Sequence, residues 1–253
     1  MVKRVPDPGP GSELTSVGQE ESARLISGRK DSKISFYFEQ LIEEICGMPW
    51  ERLNADEILQ VALAYYYFSV QFRENLEIAC RLNPKNKLLK LLRREECNTA
   101  NLSPWENIAA EGEAMNHDEF MRRLLALQPI AGAGVIERNG QAYLALVRST
   151  DDGARAKSIR SYEDGGLFSV FSSMLRATHW EGEGQRAFRH FLELHISFDS
   201  PETTGHGALS RHIALDDSIA PLWLAFRDLL RCAVPAFADE TESTACSDRR
   251  LAS

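Results

Sequence analysis

Apolar residues recur along most of this chain at intervals of three and four, the period of a helix with one buried face. Phe36, Phe38, Leu41, Ile42 and Ile45 make such a stripe over 35–45, and Gly47 with Pro49 ends it. Asn54 or Asp56 caps the next run, which carries Ile58, Val61, Leu63, Tyr65, Phe68, Phe72 and Leu76. That run is apolar on more than one face, so a central helix is predicted as far as Leu82, where Asn83-Pro84 stops it. Further helices are predicted over 87–97, 112–127, 161–177, 185–199 and 220–234. Ser200-Pro201-Glu202 is a helix-start signature, and it opens an element that carries His206 and ends near Leu215. Residues 98–107 and 151–157 read as loops. Two patterns compete over 135–147. The Asn139-Gly140 pair is a hairpin signal, yet 141–148 fits two helical turns. A lone hairpin would have no sheet to join, so a helix is expected. The sum is an all-α bundle of about eight helices.

The ends of the chain differ from its middle. Residues 1–30 are polar and rich in Gly and Pro, and 238–253 carry Glu, Ser, Thr and Asp with few apolar anchors. Both are expected to be disordered, leaving one helical domain over 31–237. The N-terminus lacks an apolar core of the signal-peptide kind, and the longest apolar stretch, 58–70, is too short to span a bilayer. The net charge of −8 argues against nucleic acid and anionic membranes as partners. Arg93-Arg94 and Arg122-Arg123 read as solvated helix faces. The five cysteines are odd in number and widely spaced, with no CxxC pair. That suits reduced thiols in the cytoplasm and gives no support to a thiolate zinc site.

The segment 192–207 carries the strongest chemistry. His195 and Asp199 stand four apart, so a helix puts them on one face, next to Phe188, Phe191 and Leu192. A His and an Asp aimed into an apolar interior need a partner, and a metal ion is one. A buried, hydrogen-bonded His–Asp pair is the plain structural alternative. His206 follows eleven residues after His195, about three helical turns on. Two other segments add donors. Glu95 and Glu96 lie near the end of one predicted helix, and His117 falls early in the next, with Glu113 four residues before it. Glu163 stands ahead of the apolar run Leu167, Phe168, Val170 and Phe171. Glu74, on the long central helix, is a further carboxylate candidate. Acidic residues also favour helix starts for their dipole, which accounts for Glu113 and Glu163 without any metal.

Taken together these segments resemble the haem-oxygenase-like di-iron oxidases, a family that lacks haem. There a helical bundle supplies, in chain order, a Glu, a His, a second Glu, His-x-x-x-Asp and a final His. The matching positions are Glu96, His117, Glu163, His195, Asp199 and His206, and the resemblance covers roughly 68–230. Two spacings depart from the family: His206 stands seven residues after Asp199 instead of three, and Glu96 to His117 is longer than usual. Glu74, Glu95 and Glu113 therefore stay open as the first carboxylate. The resemblance implies a haem-oxygenase-like bundle with two iron ions per chain that activate O2 to oxidise a small organic substrate, with a homodimer as an assembly open to it. N-oxygenation, oxidative C–C cleavage, decarboxylation and self-oxidation all occur in such a family, and nothing in the sequence selects among them. A metal-free enzyme or a small-ligand-binding protein of the same fold is the alternative. Tyr65, Tyr66 and Tyr67, like Trp105, Trp180 and Trp223, are expected to pack the core; His179, His190 and His212 fall outside the pattern and are read as surface or supporting groups.

Overall fold

In the computed structural model residues 36–198 and 206–237 are described. They form an all-helical bundle without a strand. The expected arm over 1–30 and tail over 238–253 lie outside the described residues, as do Asp199 and the Ser200-Pro201 start signal. In chain order the helices are α1 (Tyr37–Cys46), α2 (Ala55–Leu82), α3 (Lys87–Glu96), α4 (His117–Leu125), α5 (Ala133–Ser149), α6 (Asp152–Ser161), α7 (Leu167–Met174), α8 (Glu183–Phe198), α9 (His206–Ser210) and α10 (Ala220–Ala233). None of the described helices is long and apolar enough to cross a membrane.

The predicted central helix is α2. Asn54 caps it: its side-chain oxygen accepts from Glu57 N at 3.0 Å, and Glu57 returns a bond to Asn54 N. Residues on most of its circumference are buried, among them Leu59, Ala62, Tyr65, Phe68, Phe72 and Leu76, and it packs against α3, α4, α5, α6, α8 and α10. An aromatic cluster of Phe68, Tyr162, Trp223 and Phe226 joins it to α10.

The helix chosen over a hairpin at 135–147 is present as α5. Gly140 is there for packing: a Cβ at this position would fall inside the ring of Tyr67 on α2. The glycine that looks like a turn signal is thus a point of close helix–helix approach.

Three expectations need correction. Residues 151–157 are not a loop; Asp151 caps α6 by accepting from Gly153 N and Ala154 N, at 2.8 and 3.1 Å. The polarity that suggested a loop belongs to a buried network. Arg155, 5% exposed, donates to Asn75 Oδ1 at 2.8 Å and to Glu74 at 3.1 Å, and Asn75 donates to Ser158. Next, the helix expected over 161–177 is interrupted by a π-helical turn at Tyr162–Gly166, within which Asp164 and Gly165 leave helical geometry. Finally, the helix expected from 112 begins only at His117, because the chain before it is tied into a clasp. Thr99 and Met115 exchange both N–H···O bonds at 3.0 Å, as an isolated antiparallel bridge.

Candidate metal centre

Five of the six sequence-predicted ligands converge in the bundle interior; the sixth, Asp199, lies outside the described residues. Each comes from a different element: Glu96 ends α3, His117 begins α4, Glu163 sits in the π-turn, His195 is on α8 and His206 begins α9. All five are more than nine-tenths buried.

The Thr99–Met115 clasp explains how Glu96 meets His117. Twenty residues separate them, but the clasp returns the chain beside itself three residues after the first and two before the second. The long spacing is therefore no obstacle. His206 approaches Glu163 through Gly207, where a Cβ would stand 2.9 Å from the Glu163 carbonyl oxygen. Outside this contact, Asp164 accepts from Arg211 Nε at 3.0 Å and from Arg160 Nε at 3.4 Å, which ties the π-turn to the segment that follows α9.

Two donor groups share Glu96. Its Oε2 lies 3.2 Å from His117 Nδ1, which is in turn 3.2 Å from His195 Nε2. Its Oε1 lies 2.5 Å from His206 Nδ1, which is 3.6 Å from Glu163 Oε2. Glu96, His117 and His195 form one set, and Glu96, Glu163 and His206 the other; within each set the candidate ligand atoms all lie within 4.8 Å of one another. Two donors held at ~2.1 Å from one ion, at angles of about 90–109°, stand about 3.0–3.4 Å apart. The 3.2 Å separations of the first set fall in that range.

The protonation pattern points the same way. His195 Nδ1 faces the Phe191 carbonyl oxygen one turn back at 2.7 Å. That bond holds the ring proton on Nδ1 and turns the Nε2 lone pair into the cluster. Burial, followed by the neighbouring His117, brings the His195 pKa down to about 3, so the imidazole is neutral and able to ligate. Burial alone would raise Glu96, but His117 and His206 beside it hold its carboxyl well below the ordinary value. A buried carboxylate kept ionised needs positive charge nearby, and a cation supplies it as well as an imidazolium does. His117 Nε2 is buried and makes no hydrogen bond to any described residue.

The space among these donors is lined on its other side by Tyr65, Ser69, Phe72 and Leu167, and has room for about one water-sized body. Tyr65, Ser69 and Phe72 lie at i, i+4 and i+7 on one face of α2. The Ser69 hydroxyl donates to Tyr66 O at 2.7 Å. Phe191 and Phe171 stack around the His195 ring.

No protein-family model, curated protein or solved structure matches this chain.

The geometry separates the carboxylates that the sequence left open. Glu74 pairs with Arg148 at 2.6 Å and with Arg155, outside the cluster. Glu113 caps Ala110 N and pairs with Arg123 at 2.8 Å. Glu95 points outward, its side chain 41% exposed, and touches only the rim, 3.7 Å from His206 Nε2. Glu96 alone of the four is in both donor sets. His179 and His212 are exposed and His190 stacks on Trp105, so none of the three lines the site. None of the described cysteines is in a disulfide.

Proposed function

We propose that this chain is an O2-dependent oxidoreductase of the haem-oxygenase-like di-iron kind, in which Glu96, His117, Glu163, His195 and His206 hold two iron ions and the substrate is a small organic molecule. The observation that carries this reading is the double engagement of Glu96. One carboxylate presents its two oxygens to two different imidazoles in a buried site, as a ligand shared by two cations would.

The donor set fits iron. It mixes imidazole nitrogen with carboxylate oxygen and contains no thiolate, a combination suited to divalent first-row ions. Two ferrous ions in such a setting supply electrons for the reduction of O2. The chain's own residues do the rest. Phe191 O orients His195 and fixes its tautomer. Glu96 and Glu163 bring two negative charges to balance the cations. Tyr65, Phe72 and Leu167 form an apolar wall that keeps bulk water from the reacting atoms. The lack of a membrane-crossing helix among the described residues is compatible with action in the cytoplasm.

Anaerobic titration of the metal-free protein with ferrous ion, followed by O2, tests the reading. Two irons per chain by elemental analysis, with O2 consumed on mixing, is the expected result. His195→Ala should lower the loading sharply. Fewer than about half an iron per chain, or loading unaffected in His195→Ala, would overturn the proposal.

A further inference from the structure

The outer face of α3 has no role in the site, yet it carries a run of basic residues in an acidic chain. Five cations fall within ten residues, Lys85, Lys87, Lys90, Arg93 and Arg94, in a protein of net charge −8. Arg93 is engaged by Glu77 at 3.1 Å. Lys85, Lys87 and Lys90 are exposed and make no ion pair with a described residue; Arg94, its side chain 77% exposed, has a marginal 4.0 Å approach to Glu95. Lys87, Lys90 and Arg94 stand at i, i+3 and i+7, so they make one stripe along the helix. Exposed apolar groups flank the stripe: Leu88 at 42% and, at the end of α2, Leu82 at 49%, while Leu89 and Leu92 on the opposite face are fully buried.

This surface lies over the metal centre. α3 ends on Glu96, the shared ligand, and α9, which begins on His206, packs against α3. Arg94 is two residues from Glu96, ~3 Å along the axis, and Lys87 is ~14 Å away. The rim of the cluster also opens here, where the half-exposed Glu95 touches His206. A stripe of exposed cations flanked by apolar side chains, beside the rim of the metal centre, is built to dock an acidic protein and bring its cargo close.

We infer that the α3 face docks the electron donor of this enzyme, a small acidic protein that carries one electron at a time. The inference rests on the di-iron reading. Each encounter oxidises the carrier by one electron and reduces one ferric ion to ferrous; two encounters restore the pair. The Lys87–Lys90–Arg94 stripe orients the carrier, and the exposed Leu88 and Leu82 supply the dry contact beside it.

The test uses the full chain loaded with iron and oxidised, with a reduced plant-type [2Fe–2S] ferredoxin as probe and a neutral hydroquinone as the small-molecule reductant. Binding of oxidised ferredoxin is measured separately by calorimetry. The triple variant Lys87→Glu, Lys90→Glu, Arg94→Glu should keep two irons per chain and be reduced by hydroquinone at the wild-type rate. Its second-order reduction by ferredoxin should fall about 10- to 1000-fold at low ionic strength, with ferredoxin binding weakened in parallel. The wild-type rate should fall as salt is raised, while the variant's should not. Unchanged ferredoxin kinetics and binding in the variant would overturn the inference. So would a wild-type protein that hydroquinone reduces but ferredoxin does not, even if its α3 face holds anionic vesicles. A chain that takes up no iron fails earlier, at the di-iron reading itself.

Discussion

Replacing Glu96 by Gln keeps the shape of the side chain and removes the charge that both donor sets share. In the metal-free protein the change removes a carboxyl that His117 and His206 hold below its ordinary value, so it should lower stability at neutral pH even without an ion. With metal the loss is larger. Ions present at about 100 times their dissociation constant stabilise the folded state by ~2.7 kcal/mol per site. Loss of a directly bound anionic ligand should weaken each site by at least the ~100-fold that removal of a mere supporting group can cost. The same ion concentration then contributes only ~0.4 kcal/mol. The difference, ~2.3 kcal/mol for each site, corresponds to about 5–9 °C in Tm for a domain of this size. Differential scanning calorimetry of wild type and Glu96→Gln, each with chelator and with ferrous or manganous ion, reads both halves of the prediction. Glu96→Gln should melt below wild type in chelator and, beyond that, lose nearly all of the metal-induced rise. A variant that keeps the full rise would show that Glu96 is a structural acid and not a shared ligand.

Arg211→Ala removes the stronger of the two bonds that hold Asp164 and so loosens the tie between Glu163 and His206. It should weaken the second ion by about 10–100-fold while the ion held by His117 and His195 stays, giving about one metal per chain by elemental analysis; two retained ions would deny the tie any role. Gly140→Ala gains up to ~1 kcal/mol of helix propensity, but its methyl meets the Tyr67 ring. Overpacking of about 1–3 kcal/mol should win, and a urea midpoint at or above wild type would refute that. The carboxyl of Glu74 would be raised by burial, but Arg148 and Arg155 bring it below its ordinary value. Its stabilising contribution is therefore complete above about pH 4.5 and is lost as the pH falls through the lower folded value. Glu74→Gln should lower stability at neutral pH, because it deprives buried Arg155 of its carboxylate, and should flatten the acid limb below about pH 4.5 in urea titrations; an unchanged limb would count against it.

Much of this could be read from the chain because helices announce themselves through local periodicity. α1, α2, α8 and α10 have apolar stripes dense enough to define them, and Asn54 and Asn83-Pro84 mark the ends of α2. The misreading of 151–157 has a physical cause. Arg155, Asn75, Ser158 and Glu74 satisfy one another inside the bundle, and polarity that is satisfied internally looks the same in sequence as polarity facing water. The break at Tyr162–Gly166 hides for a different reason. The apolar positions of 161–177 keep a helical period, which masks the local breaker Gly165-Gly166; Gly165 takes φ +101° in the break, and Gly207 lies against the Glu163 carbonyl. In the site, Glu96, His117, Glu163, His195 and His206 were identifiable as residue types at helical spacings. The choice of Glu96 over Glu95 was not, because it depends on which side of the last turn of α3 faces inward. The wall of Tyr65, Ser69 and Phe72 was harder still, since α2 is apolar almost all round and no single face stands out.

The exchange of bonds between Thr99 and Met115 has a bearing on how such proteins are found. It makes the interval from Glu96 to His117 a property of the backbone crossing and not of the number of residues looped beyond it. Relatives could carry a much shorter or longer excursion at this point and keep the same two ligands side by side. A pattern search that fixes that interval would discard them, whereas one that asks for a Glu closing one helix and a His opening the next would keep them.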